Sequence, residues 1–348
     1  MIARNSFIIM VSQVASGILG MLALTIVSKL WGGYAPSMMG VIWFGMAFVG
    51  TFSFITNLGF DATHVKRMSE GMDEGLCMGT FIAFKLMLTG ILVAVVLASI
   101  VVWKYALGGG FYDSTTEMVV YIFLGYYVFF ALGQIGVSTF SAQKLNVKSQ
   151  LSLLMEPAVR IVLVVTVTLA GVAGAVVTFA GDTTVVNLAP GMDWPGVLEP
   201  FREFLSTHSI GAMAVAYMLG GFATFCMALF LLRKYKVSRP TRESMGMYLA
   251  FAAPLMVPIL FMVVTSNIDK VMLGYYWTST EVGYYSSVYR ISTMMLAISG
   301  AFGAVVFPTI SAMHARRDRP ACLNRREICV VARSSERYAS MITVPAMA

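Results

Sequence analysis

Residues 267–291 read NIDKVMLGYYWTSTEVGYYSSVYRI and set Asp269, Lys270 and Arg290 against or inside long apolar runs. A charged side chain at the centre of a hydrocarbon layer costs about 2.5–3.5 kcal/mol on insertion scales. Three ionisable groups in such a place therefore need a reason. The rest of the chain shows that a hydrocarbon layer is the right reference. It is 58% hydrophobic and 12% charged, with a mean hydropathy of +0.79, whereas soluble domains carry about 25% charged residues. Several apolar runs reach the roughly 18–20 residues needed to cross a ~30 Å core. The alternating ten-residue pattern of a membrane β-barrel is absent. The pattern predicts an all-α membrane protein, a polytopic helical bundle.

Spans are expected at 7–30, 40–60, 79–102, 119–141, 157–180, 210–232, 247–273 and 284–310, with a ninth opening at Tyr338. The first run is too long for a signal-peptide core and reads as a retained span. The connecting loops alternate in charge. Those with Lys66 and Arg67, Lys144 and Lys148, residues 233–242 and residues 316–326 are basic and share a side with Arg4. Those with Asp113 and Glu117, residues 182–203 and Glu281 hold few basic residues. Lys and Arg stay on the cytoplasmic side, which predicts a multi-pass protein of the cytoplasmic membrane with its N-terminus inside. The formal charge of +7 thus serves topology, and a nucleic-acid partner is not implied; the partner it implies is the lipid bilayer. In the longest outer loop, Val197, Leu198, Phe201, Phe204 and Leu205 follow helical spacing, which suits either a short interfacial helix or a plain ordered loop.

APSMMGVIWFGMAF around Gly40 is similar to TSTEVGYYSSVYRI around Gly283, and each opens a span after a short outer turn. Parallel repeats related by an axis along the membrane normal are a transporter architecture. The chain is accordingly divided into a six-helix bundle over 1–235 and the start of a second bundle over 236–348.

Polar residues within the spans are the candidate site. Arg290 lies about two turns into the eighth span, and Ser286 and Thr293 share its stripe with Ala297 and Gly300. It either lines a cavity or snorkels past Tyr284, Tyr285 and Tyr289 to the headgroups. Asp269 and Lys270 are adjacent, so they do not face one another as a simple helical pair; anchoring at the interface and binding are both open to them. Gly50, Ser53, Asn57 and Asp61 line the second span, while Lys85, Glu156 and Arg160 sit within snorkelling reach of the inner surface. Pro254 and Pro258 lie inside the seventh span, where each removes a backbone hydrogen bond. Cys77, Cys226, Cys322 and Cys329 are scattered and read as unpaired thiols. No nucleophile elbow, metal-ligand cluster or phosphate-binding glycine loop is present, so no catalytic residue, metal or cofactor is expected.

The 267–291 stretch, followed by a glycine-rich span ending in VVFPTISAM, resembles the polysaccharide flippases of the multidrug/oligosaccharidyl-lipid/polysaccharide exporter superfamily. NLGFDATHVKRMSEG, at the end of the second span, is also similar to that family. The resemblance implies two six-helix bundles around a central cavity, here with the second bundle incomplete. It implies transport of a lipid-linked oligosaccharide of polyprenyl-diphosphate type, with no enzymatic step. Arg290, helped by Lys270, would then hold the diphosphate, with Ser286, Thr293 and Asn57 as polar contacts. Asp269 or Asp61 would bind a coupling cation, Na+ or H+. The alternatives are a cation-coupled multidrug exporter of the same superfamily, an integral-membrane glycosyltransferase or polymerase, and an inactive fragment.

The charge alternation places residues 233–246 inside and 181–209 outside. A cysteine introduced at Thr207 should react with an impermeant maleimide added outside, and one at Ser238 should not; the reverse pattern overturns the topology.

Overall fold

The computed structural model describes residues 2–105, 111, 114–172, 175–179, 182–186, 191–193 and 195–293. It divides into two compact units, residues 15–289 and residues 1–14 with 290–348. The helices are α1 (Ile2–Trp31), α2 (Ala35–Phe52), α3 (Phe60–Ser69), α4 (Glu74–Tyr105), α5 (Ser114–Ala142), α6 (Asn146–Ala170), α7 (Glu199–Thr207), α8 (Ser209–Leu232), α9 (Arg242–Thr265) and α10 (Ile268–Tyr276). Residues 279–293 are also helical. Among the described residues, six helical stretches are long and apolar enough to cross a membrane, and the first, Ile8–Ser69, has 62 residues. At 1.5 Å per residue that is about 93 Å, enough for two crossings. The protein is an all-α polytopic membrane protein.

Within the 15–289 unit, α8 packs along α5 and α6, and α5 also meets α2, α3 and α4. One apolar core joins Phe44, Phe48 and Val49 of α2 to Leu92 and Val96 of α4 and Val119, Val120 and Phe123 of α5. Trp103 stacks edge-on against Phe48 at 5.3 Å and against Tyr275 at 5.3 Å, which ties the end of α4 to both α2 and α10. A second core gathers Phe60, Phe81, Phe84 and Tyr248, from α3, α4 and α9. Exposed apolar residues such as Val257, Phe261 and Met262 on α9 suit a lipid-facing surface.

Two stretches depart from the spans read in the sequence. The fifth was placed at 157–180, but α6 starts at Asn146 and ends at Ala170. Gly171, at φ 82°, stops it. The β-branched segments AVVTF and DTTVV then pair as antiparallel strands β1 (Ala175–Phe179) and β2 (Asp182–Val186), with Ala175 opposite Val186. Valine and threonine favour a pleated surface over a helix, a signal masked by the overall hydrophobicity of the run. The first part of the expected inner loop at 61–78 is helix α3, with Thr63 and His64 fully buried. Of the two readings open for the outer loop, the short helix is the one that forms, as α7, exposing Phe201 and Phe204.

The two similar segments meet each other. Ser37 Oγ lies 3.0 Å from Thr280 Oγ1, and these residues are 243 apart, the same offset that relates Gly40 to Gly283. A Cβ on Gly40 would lie 1.7 Å from the Ser279 carbonyl oxygen; one on Gly283 would lie 1.9 Å from the Pro36 carbonyl oxygen. Pro36 and Ser279 are again matching positions. Each glycine thus receives the backbone of the other's counterpart, the reciprocal contact that a local two-fold axis produces.

Gly40→Ala and Gly283→Ala should each lower the melting temperature of the purified protein, since backbone has to move to admit the methyl. Gly90→Ala in α4, with open space at its Cβ, should leave it unchanged or raise it slightly. Equal melting temperatures for all three variants would remove the close contact.

Candidate functional site

The second span does not run straight into the inner loop. After the 3-10 turn Ser53–Thr56, Leu58 and Gly59 take positive φ values of 40° and 83°. A Cβ at Gly59 would meet Leu255 Cβ at 2.7 Å, so glycine is needed both for the conformation and for the approach of α9. The break sets Asp61 in the first turn of α3. There it faces Lys85 of α4.

Lys85 is 1% exposed. Its ammonium lies 2.8 Å from Asp61 Oδ1 and 3.1 Å from Oδ2, and donates to the Thr56 carbonyl at 3.0 Å. The Phe81 ring is 5.5 Å from it. Ser138 of α5 donates to Asp61 Oδ1 at 3.2 Å. The snorkelling open to Lys85 in the sequence is therefore not what it does. It stays inside and neutralises the carboxylate once read as a cation ligand. Asp61 retains some access, with its side chain 21% exposed.

One turn further along α3, His64 is fully buried and stacked on Phe81 at 4.1 Å. Its Nε2 lies 3.0 Å from Thr139 Oγ1 and its Nδ1 3.0 Å from the Tyr248 hydroxyl. Thr139 donates to the Ile135 carbonyl at 2.7 Å, so it accepts from His64 Nε2–H. Tyr248 also lies 3.3 Å from the Cys77 carbonyl. A neutral ring accepts from the Tyr248 hydroxyl at Nδ1, so both ring nitrogens are satisfied in this buried network. His64 escaped the sequence reading although it stands three residues from Asp61, on the same side of a short helix.

Two further charged clusters lie largely inside the protein. Glu156 and Arg160 of α6 pair at 2.6 Å with side chains 12% and 11% exposed, and Arg160 lies over the Tyr217 ring at 4.9 Å. At the start of α10, Lys270 is 8% exposed. Its ammonium donates to the Ser266 carbonyl at 2.7 Å, sits 3.6 Å from Asp269 Oδ1 and covers the Tyr289 ring at 4.1 Å. Asp269 accepts from the Tyr285 hydroxyl through Oδ2. Adjacent residues do make an ion pair here, because the long lysine stem folds back along the helix start.

The structure thus brings Asp61 together with Lys85, and Asp269 with Lys270. No hydrogen bond or ion pair joins the two clusters among the described residues. Ser286 is 4% exposed with no hydrogen-bond partner for Oγ, and Asn57 Oδ1 is likewise buried without one. Thr293 donates back to the Arg290 carbonyl at 2.9 Å, and Arg290 is half-buried. Among the described residues no group of three His, Cys, Asp or Glu is arranged to hold a metal ion.

Residues 204–348 match a family described as polysaccharide biosynthesis protein. This supports the family resemblance carried by residues 267–291. The matched segment takes in α8 to α10 and the helix beyond, hence Asp269, Lys270, Ser286, Arg290 and Thr293, but it leaves out Asp61 and Lys85. No curated protein and no solved structure matches the chain.

Removing one partner of a buried ion pair costs about 3–5 kcal/mol, whereas replacing both with neutral groups is often harmless. Lys85→Met and Asp61→Asn should each strongly reduce the thermal stability of the purified protein, and the double variant should recover most of the loss. Additive losses would show that the pair does not act as a unit.

Proposed function

We propose that the protein is a transporter that moves a lipid-linked oligosaccharide of polyprenyl-diphosphate type across the cytoplasmic membrane, with its N-terminus inside, and performs no catalytic step. The observation that carries this reading is the polysaccharide biosynthesis match over 204–348, a segment whose apolar helices contain Lys270 and Arg290. The cargo is awkward for a bilayer, because its diphosphate is anionic and its sugars are polar. Cations held at membrane depth lower the cost of passage, and intramembrane charge is a functional signal by default.

In this reading Arg290 is the main diphosphate contact, since its planar fork makes paired charge-assisted bonds to phosphate oxygens. Lys270 supplies a second cation. Its ammonium rests on a carbonyl and an aromatic ring and stands 3.6 Å from the nearest carboxylate oxygen, a looser pairing than that of Lys85. Ser286, Thr293 and Asn57 provide neutral polar contacts, and the unpartnered buried atoms of Ser286 and Asn57 have capacity for them. Asp269 suits a coupling cation, Na+ or H+, better than Asp61. Its side chain is 32% exposed, and a cation entering at Asp61 would have to displace Lys85 from 2.8 Å.

Arg290→Ala should lower export of surface glycan roughly ten- to hundred-fold at equal protein level, as expected for losing charged hydrogen bonds. Arg290→Lys should keep part of it. Wild-type export by Arg290→Ala would make the residue an interfacial anchor and end its role in binding. Loss of drug resistance with normal surface glycan would instead identify a multidrug exporter.

A further inference from the structure

A hollow of about 650 Å³ opens at the basic end of the 15–289 unit, lined by Lys148, Lys234, Lys236, Asp73, Glu74 and Tyr235 among others. It shares no residue with the clusters described above. Its walls come from the first turns of α4 and α6 and from the 233–241 segment that connects α8 to α9.

Those walls are built in place. Ser238 N–H donates to the Gly75 carbonyl at 3.0 Å, and a Cβ on Gly79 would lie 1.8 Å from the Ser238 carbonyl oxygen. The connecting segment is thus laid directly on α4. Tyr235 donates to Gln143 Oε1, and Gln143 donates to Glu74 at 3.1 Å, which links the ends of α8, α5 and α4. Burial raises the Tyr235 pKa above its ordinary value, with Glu74 adding to the shift, so the hydroxyl keeps its proton and this link holds across the physiological range.

The two acids are occupied in shaping the hollow. Asp73 Oδ1 accepts from the Leu76 N–H at 2.7 Å and so caps α4, while Glu74 receives Gln143. The three lysines have no carboxylate within 4.0 Å among the described residues. Lys148 also stands in the first turn of α6, which contains no acidic residue and where a positive charge opposes the helix dipole. Three like charges converge on a preformed hollow that is left short of anions. Leu231, in the last turn of α8, also lines it, so the hollow lies where a membrane-spanning helix emerges, at headgroup depth.

We infer that this hollow is a binding site for a phosphate-bearing anion, supplied by the headgroup of an anionic membrane lipid, with Lys148, Lys234 and Lys236 as its ligands. Basic pockets between membrane helices take phosphate headgroups by this chemistry. A phosphate seated there ties the connecting segment to α6 as well as to α4, across the boundary at which the two expected bundles are joined. The site therefore gives the lipid composition of the membrane a hold on the link between them.

The test uses the purified full-length protein and counts retained lipid by native mass spectrometry during titration with phosphatidic acid or with phosphatidylcholine of the same chains. Phosphatidic acid should be retained in preference. Lys148→Gln, Lys234→Gln and Lys236→Gln should each weaken its retention about five-fold, and the triple variant about a hundred-fold. The control Lys144→Gln/Arg239→Gln removes two charges of the same loops from outside the hollow and should stay within about two-fold. Displacement of the lipid by inorganic pyrophosphate would identify phosphate itself as the recognised group, open to soluble as well as lipid sources. Lysine dependence without displacement would assign the site to membrane lipid alone. Equal retention of the two lipids, or a triple variant no weaker than the control, overturns the inference. The lysines are exposed, and an unchanged gel-filtration profile and melting temperature will verify that the variants fold.

Discussion

A lysine kept inside an apolar bundle requires its counter-charge within bonding distance, and that requirement shapes the helix packing around it. Lys85 is 1% exposed and sits 2.8 Å from Asp61. An uncompensated ion at this depth costs several kcal/mol even after the protein relaxes. The break after α2 sets Asp61 within bonding distance of Lys85 on α4. The break has its own needs: positive φ at Leu58 and Gly59, and a glycine that lets α9 close in. Thr56 and Ser138 complete the site by filling the remaining hydrogen-bonding capacity. One charge thus accounts for the end of α2, the start of α3 and the faces that α4 and α5 turn toward them.

The remaining enclosed charges obey the same rule with different slack. Glu156 and Arg160 are closely paired at 2.6 Å within one helix, which suits a lock between α6 and α8. Lys270 is held by a carbonyl, an aromatic ring and a more distant carboxylate, so exchanging its partners disturbs less. Buried cations that differ in this way divide naturally between holding helices together and receiving an anionic ligand. The reciprocal contact of Gly40 and Gly283 adds a second constraint of another kind. Backbone meets backbone there, and the seam between the two repeated segments tolerates no side chain.

Hydropathy was legible over most of the described chain because it depends on composition over about twenty residues, which the bilayer reads directly. Gly40 and Gly283, the matching positions of the two similar segments, lie at a seam where those segments touch. The amphipathic spacing of Phe201, Phe204 and Leu205 allowed α7 without deciding it against an ordered loop. The β1–β2 hairpin was hidden, since a run of valine and threonine is as apolar as a span, and only its β-branched content tells the two apart.

The sequence by itself determined that this is an all-α membrane protein and roughly where its spans lie, and it singled out Asp269, Lys270 and Arg290, because the hydrocarbon layer makes every charge in or beside a long apolar run conspicuous. Only the tertiary structure decided which charges neutralise one another. Asp61 and Lys85 are 24 residues apart on different helices, and no one-dimensional pattern records that they meet. His64 and Tyr248 lie 184 residues apart and meet in the same way. A buried ion's partner is chosen by proximity in space, and the packing of separate helices sets that proximity without leaving a periodic trace in the sequence.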